Sequence, residues 1–124
     1  MTRSLDDRLG FVKHKGQAIL VIDFSHCTAK EMLLLLDQVR VAVARHAPGS
    51  ALTLADFAGA EINKAVATKI KEVLTLDRPY VKKSAWVGTE NLPQVFYQHF
   101  KSFSQREFPA FKTREEAMDW LVAE

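Results

Sequence analysis

The chain has 124 residues, a net charge of +2 and an apolar share of 48%, which is the composition of one ordinary globular domain. So small a net charge gives no electrostatic reason to expect nucleic acid as a partner, and a single cysteine, Cys27, excludes an internal disulfide. The first residues lack the apolar segment of a signal peptide, and no apolar run approaches the about 20 residues of a membrane span. We therefore expect one soluble, cytoplasmic domain over residues 1–124, without stable membrane insertion.

The first elements are predicted to be a β-hairpin and a helix. Residues 9–14 alternate loosely, and after a Lys-Gly turn residues 17–24 are almost uniformly apolar, which is typical of a strand buried on both faces. Thr28 and Glu31 then form a capping box, so we expect a helix from there to about residue 46.

The rest of the chain alternates strands with helices. The predicted segments are strands at 51–57 and 80–87, helices at 62–74 and 92–103, a short extended piece at 106–111 and a final helix after a capping box at Thr113. Strands joined through helices run parallel to one another. The sequence therefore predicts an α/β fold with a mixed, mainly parallel sheet, an N-terminal hairpin and covering helices.

Four short strings of the sequence follow one another in a fixed order. They are LVIDFS at 20–25, LTLADFAG at 52–59, PYVKKSAWVG at 79–88 and FKTREEAMDWL at 111–121. In this order and spacing they resemble the SpoIIAA-like family of STAS/SEC14-type bacterial proteins. The resemblance implies a STAS-like fold and one of two roles, a regulatory module of the anti-anti-sigma type or a carrier of apolar ligands.

The sequence departs from the regulatory pattern at one motif. Anti-anti-sigma proteins carry a phosphorylatable serine in a D-S-S-G-like motif at the start of the helix that follows the second core strand. The corresponding residues 59–66 have no hydroxyl near the helix start, and Lys64 supplies a positive charge instead. We therefore expect a non-enzymatic STAS-like interaction module that lacks the serine switch, and the alternative is a carrier of a small apolar or lipid-like ligand.

Polar side chains follow two of the predicted strands. Asp23, Ser25 and His26 come at the end of one strand and Asp56 at the end of the next, the edge where ligands bind in open α/β sheets. A pair of strand-end acids is one hypothesis and simple loop capping the other, and the second is favoured. We predict no catalytic residue, because His26 is adjacent to Ser25 and Cys27 and would point away from both. One cysteine and no spaced histidine pair predict no metal site, and no cofactor is expected.

The last third of the chain is rich in aromatic residues. Some of them share one helical stripe and are predicted to be core, but a pocket between this third helix and the sheet is a further hypothesis. Its candidate ligand-binding residues are Phe96, Tyr97, Phe100, Phe103, Lys82 and Lys101.

Two apolar residues lie on the polar side of the first predicted helix. Leu34 and Val41 are seven residues apart, and Leu33 widens the patch. We interpret them as a homodimer seam or a face for a protein partner, since two-fold dimers are the commonest assembly. The alternative is a pair of scattered exposed residues that need no explanation.

Overall fold

The computed structural model of the chain describes residues 5–92, 98, 100 and 109–123. Its sheet has five strands in the order β1-β2-β3-β4-β5. The strands are β1 (Leu9–His14), β2 (Gln17–Asp23), β3 (Ala51–Asp56), β4 (Val81–Val87) and β5 (Ala110–Phe111). The first two pair antiparallel as a hairpin, and every later pairing is parallel. The predicted mixed, mainly parallel sheet with an N-terminal hairpin is confirmed.

Three helices complete the described part of the fold. They are α1 (Ala29–Ala44), α2 (Lys64–Asp77) and α3 (Arg114–Val122). Each begins at a side-chain cap: Thr28 forms the predicted capping box with Glu31, Asn63 caps α2 and Thr113 caps α3. Most of the predicted helix at 92–103 lies outside the described residues.

The sheet is covered on both faces, because side chains alternate along each strand. Leu20, Ile22 and Ala55 belong to the core that α1 and α2 cover. Ile19 and Leu54 point to the other face, where α3 packs. Residues buried on both sides of one strand explain the nearly continuous apolar run in β2.

A bulge in β4 changes which side chains face the helices. Ala51 pairs with Val81 but Leu52 pairs with Lys83, so Lys82 has no partner in the register. As a result both Val81 and Ser84 lie on the side of α1 and α2. Lys83 lies on the α3 side, where its Nζ donates to the carbonyl of Trp120 at 2.9 Å.

Side chains in the C-terminal half of α3 bind the β1–β2 hairpin. Asp119 accepts a 2.7 Å hydrogen bond from His14 and pairs with Lys15 at 3.1 Å. The hydrogen bond from His14, followed by that from Lys15, holds the pKa of the Asp119 carboxyl below its usual range. These contacts position the N-terminus of α3 at the carboxyl edge of the sheet.

Candidate functional site

The strand-end acids meet at the carboxyl edge of the sheet. Asp23 and Asp56 are partners in the register of β2 and β3, and both point to the α3 face. Arg114, the first residue of α3, lies against them: its Nη2 is 3.3 Å from Asp23 Oδ1 and 2.9 Å from Asp56 Oδ2. Its Nε donates a second 2.9 Å hydrogen bond to Asp56 Oδ2. One guanidinium therefore bridges the two carboxylates.

The remaining contacts of the two acids hold the following loops. Asp23 Oδ1 accepts hydrogen bonds from the backbone N–H of Ser25, at 3.0 Å, and from its hydroxyl. Asp56 Oδ1 accepts from the backbone N–H of Ala58 at 3.0 Å. These are Asx turns, in which a side chain caps its own loop. Arg8 fixes the same loop from the hairpin side, donating to the carbonyls of Asp23 and Ser25.

His26 is separated from this cluster. Its side chain is exposed, its φ is 58°, and its backbone N–H donates to the carbonyl of Ala58 at 2.8 Å. The ring lies against Gly59, where an added Cβ would be 2.4 Å from Nδ1. The structure therefore brings Asp23, Ser25 and Asp56 together and leaves the histidine outside.

A cavity of about 60 Å³ lies between the sheet and the two helices α1 and α2. Its walls are mostly aliphatic and aromatic, and it reaches the surface beside half-buried Leu74 and exposed Arg78. The aromatic wall consists of Phe24, Phe57 and Trp86. This volume exceeds the 10–15 Å³ or so that one water needs and is smaller than the roughly 150 Å³ of a cavity that binds benzene.

Four polar residues line this cavity, and two of them bond to each other. The hydroxyls of Thr53 on β3 and Ser84 on β4 are 2.7 Å apart, so each has a partner. Asp77 and Arg78 stand at the end of α2. Polar groups in an otherwise apolar cavity are the pattern of a binding site for a small organic molecule.

Asp77 is the exceptional side chain of the cavity. It is 8% exposed, and nothing in the described part of the chain donates a hydrogen bond to its carboxyl group. Burial raises the pKa of this carboxyl to about 7, while the positive charge of Arg40 on α1 opposes the rise. A carboxyl that is buried without a donor marks a functional-site candidate.

A second candidate lies on the outer side of α1. Leu34 and Val41 are 48% and 56% exposed. Val41 and Leu9 of β1 line a shallow groove between the helix and the hairpin. Phe11 of β1 is 60% exposed, and its ring lies 5.5 Å from that of His46 just beyond α1. We call Leu34, Val41, Leu9 and Phe11 the α1/β1 surface.

The sequence matches no protein-family model and no curated protein. The structure does match a solved one, that of an uncharacterized protein of the DUF3478 family with a SpoIIAA-like fold from Shewanella loihica PV-4. The TM-score is 0.71, the identity is 17%, and the match covers 92% of each chain. The chain has a SpoIIAA-like fold. The fold implied by the four sequence strings is thus confirmed.

The helix that follows β3 begins with an amide side chain and a positive charge. The helix after β3 is α2, and its N-cap is Asn63, whose side chain accepts from the backbone N–H of Val66 at 2.8 Å. Lys64 is the first residue of the helix. The described start of α2 therefore carries no hydroxyl side chain at its N-cap or at its first helical position.

The predicted aromatic pocket falls largely outside the described residues of this SpoIIAA-like chain. Phe96, Tyr97, Lys101 and Phe103 are among the residues not described, and Lys82 is exposed in the β4 bulge. Phe100 is fully buried. Its ring lies 6.0 Å from that of Trp86, in an edge-to-face arrangement, so it backs the aromatic wall of the observed cavity.

The structure differs from the sequence-based prediction at Leu33 and at Asp77. Leu33 is half-buried and packs against the core, unlike exposed Leu34 and Val41. Asp77 was not among the predicted site residues. Its spacing from Ile70 and Val73 places it on the buried stripe of α2, and that spacing was the signal that could have identified it.

The described ranges also bear on membranes and metals. Within them, no helix combines the length and apolar character that crossing a bilayer requires. Nor do three side chains of His, Cys, Asp or Glu gather there at distances suited to a metal ion.

Proposed function

We propose that this chain is a non-enzymatic STAS-like module that acts by binding, and that the cavity beneath α1 and α2 takes a small, mainly apolar ligand. The observation that carries the proposal is Asp77, a buried residue whose carboxyl lacks a donor in the described chain and lines an apolar cavity that reaches the surface. The polar cluster at the sheet edge supports the non-enzymatic part, because Arg114 and the loop amides engage both strand-end acids.

The ligand proposal is tested with xenon, which enters apolar cavities without needing a hydrogen bond. We expect backbone NMR signals of Phe57 and Trp86 to shift saturably under xenon pressure. The control is Ala55→Leu, which places three more carbon atoms in the cavity wall and should abolish the shifts. Wild-type spectra that do not change with xenon would contradict the proposal, because a cavity open to an apolar ligand must also admit this atom.

A second proposed function is protein binding through the α1/β1 surface, with a second copy of the chain as the occupant. Apolar side chains that are about half exposed on adjacent elements favour a protein contact over scattered residues. β1 is an edge strand of the described sheet. An antiparallel β1 of a second copy would pair with this edge and bring the two α1/β1 surfaces together about a two-fold axis.

The dimer proposal predicts that negative charges in the α1/β1 surface weaken self-association. The double variant Leu34→Asp, Val41→Asp should raise the dimer dissociation constant at least about tenfold, because it places charges in an apolar contact. The matched control is Leu76→Asp on α2, where the side chain is 39% exposed but outside the α1/β1 surface. Sedimentation velocity measures both. Wild-type protein that stays monomeric over the whole concentration range, or equal effects of the two variants, would count against self-association.

A further inference from the structure

The cavity presents an unusual combination of groups. Its walls are apolar and aromatic, its two hydroxyls are paired with each other, and one carboxyl is left without a donor in the described chain. Leaving a buried acceptor unsatisfied costs about 1–3 kcal/mol, so a guest that supplies a donor gains that amount relative to one that does not. The carboxyl of Asp77 therefore distinguishes between guests of the same size.

We propose that the cavity selects a small uncharged molecule with an aliphatic body and one hydroxyl group, and that this hydroxyl binds the carboxyl of Asp77. This inference rests on the proposed ligand-binding function and adds the chemical class of the ligand. A hydroxyl fits because it donates to an ionised carboxylate and accepts from a protonated carboxyl, and so satisfies Asp77 in either state.

Charge disfavours the two obvious alternatives. An alkylammonium ion would be attracted by an ionised Asp77, but it would have to lose its hydration and would enter beside the positive charges of Arg78 and Arg40. A carboxylate would have to lose its hydration beside the carboxyl of Asp77, and a second buried acid there is unfavourable. A neutral guest avoids the desolvation of a second charge.

The size of the guest follows from the volume. A cavity of about 60 Å³ is well under the roughly 150 Å³ that accommodates benzene, so it encloses only about two carbon atoms of a guest, and the rest of a longer body lies at the mouth beside Leu74. Phe57 and Trp86, whose ring centroids are 4.8 Å apart, supply the wall against which that body packs.

The test compares four probes of similar length at pH 8: 1-butanol, 1-chlorobutane, butylammonium and butyrate. Trp86 lines the cavity and reports binding by fluorescence once the second tryptophan, which packs on the α3 face, is removed by Trp120→Phe. We expect 1-butanol to bind at least about tenfold more tightly than 1-chlorobutane, the ratio that a hydrogen bond to a charged group gives. It should also bind more tightly than the two charged probes, which must lose their hydration.

The variant Asp77→Leu isolates the role of the carboxyl. It keeps the number and branching of the side-chain heavy atoms and removes a buried charge, so the fold is expected to be retained. In this variant 1-butanol and 1-chlorobutane should bind about equally tightly. The control Glu72→Leu, at an exposed position on α2, should leave the preference for 1-butanol unchanged. A preference that survives Asp77→Leu, or tighter binding of butylammonium or butyrate, overturns the inference and leaves the ligand-binding function standing. If none of the four probes saturates, both proposals are wrong.

Discussion

Replacing Asp77 by asparagine should stabilise the protein at pH 8 and remove most of its pH dependence between pH 4 and 8. Burial raises the pKa of this carboxyl from 3.8 to about 7, so between these values the folded state holds a proton that the unfolded state has lost. The stability that the protonated carboxyl provides is complete below pH 3.8 and is lost as the pH rises through about 7. At pH 8 the folded protein therefore carries the full cost of a buried carboxylate.

The size of this effect follows from the two pKa values. A difference between 3.8 and about 7 corresponds to on the order of 4 kcal/mol, and water at the cavity mouth lowers it, so we expect a gain of about 2–4 kcal/mol for Asp77→Asn at pH 8. Near pH 4 the two proteins should be about equally stable. Urea unfolding at pH 5, 6, 7 and 8 measures the free energy of unfolding of both proteins as a function of pH.

The matched control for this prediction is Glu72→Gln, which removes an exposed carboxylate from the same helix. Its unfolding free energy should run parallel to that of the wild type at all four pH values. Parallel curves for Asp77→Asn as well would show that the wild-type carboxyl is already ionised and hydrated at pH 5, and would contradict the raised pKa of Asp77.

Replacing Gly88 by alanine should be among the most destabilising single changes of a small residue in the described chain. Gly88 follows β4 with a φ of 71°, a conformation that costs other L residues about 1–2 kcal/mol. An added Cβ would also be 2.3 Å from the backbone nitrogen of Ala58, which belongs to the loop capped by Asp56. Because backbone must move to make room, we expect a total loss of at least about 3 kcal/mol.

Gly49 provides a control with a similar positive φ and no clash. Its φ is 68°, and nothing lies within 4 Å of an added Cβ. Gly49→Ala should therefore cost about 1–2 kcal/mol, the conformational part alone. Urea unfolding of both variants separates the two contributions. Equal losses would mean that the loop after β3 yields to the extra methyl group, and that the close approach of the two loops is not a fixed feature of the fold.

The elements of this fold could be predicted from the sequence because their signals are local. The capping box at Thr28 and Glu31 specifies the start of α1 within a few residues, and the apolar run of β2 indicates a strand covered on both faces. The placement of Asp23 and Asp56 at one sheet edge also follows from local signals, since parallel strands end on the same side.

The partners of those acids could not be predicted, because they depend on contacts between distant segments. Arg114 is 58 positions from Asp56, and only the docking of α3 on the opposite face brings the two together. The cavity likewise arises where three strands and two helices, each predicted separately, fail to fill the space between them. Sequence periodicity reports which side chains face inward and carries no information about how tightly they pack.

The bulge in β4 could not be predicted from the sequence either. It skips Lys82 in the register and places Ser84 opposite Thr53 on the cavity side. An alternating pattern cannot reveal this shift, because a bulge moves every later side chain to the other face. The hypothesis of a pocket at the third predicted helix stays a prediction, since most of its residues lie outside the described part of the chain.

The most direct test of the central claim, that the cavity beneath α1 and α2 is the binding site, is a two-dimensional ¹H–¹⁵N NMR titration with 1-butanol. If the guest binds in the cavity, we expect saturable shifts for the backbone signals of Phe24, Phe57, Asp77 and Trp86. The signals of Ser25 and Ala58 at the sheet edge should be unaffected. Saturable shifts confined to the sheet edge, or shifts that rise linearly over the whole chain, would contradict it, because either would place the guest outside the cavity.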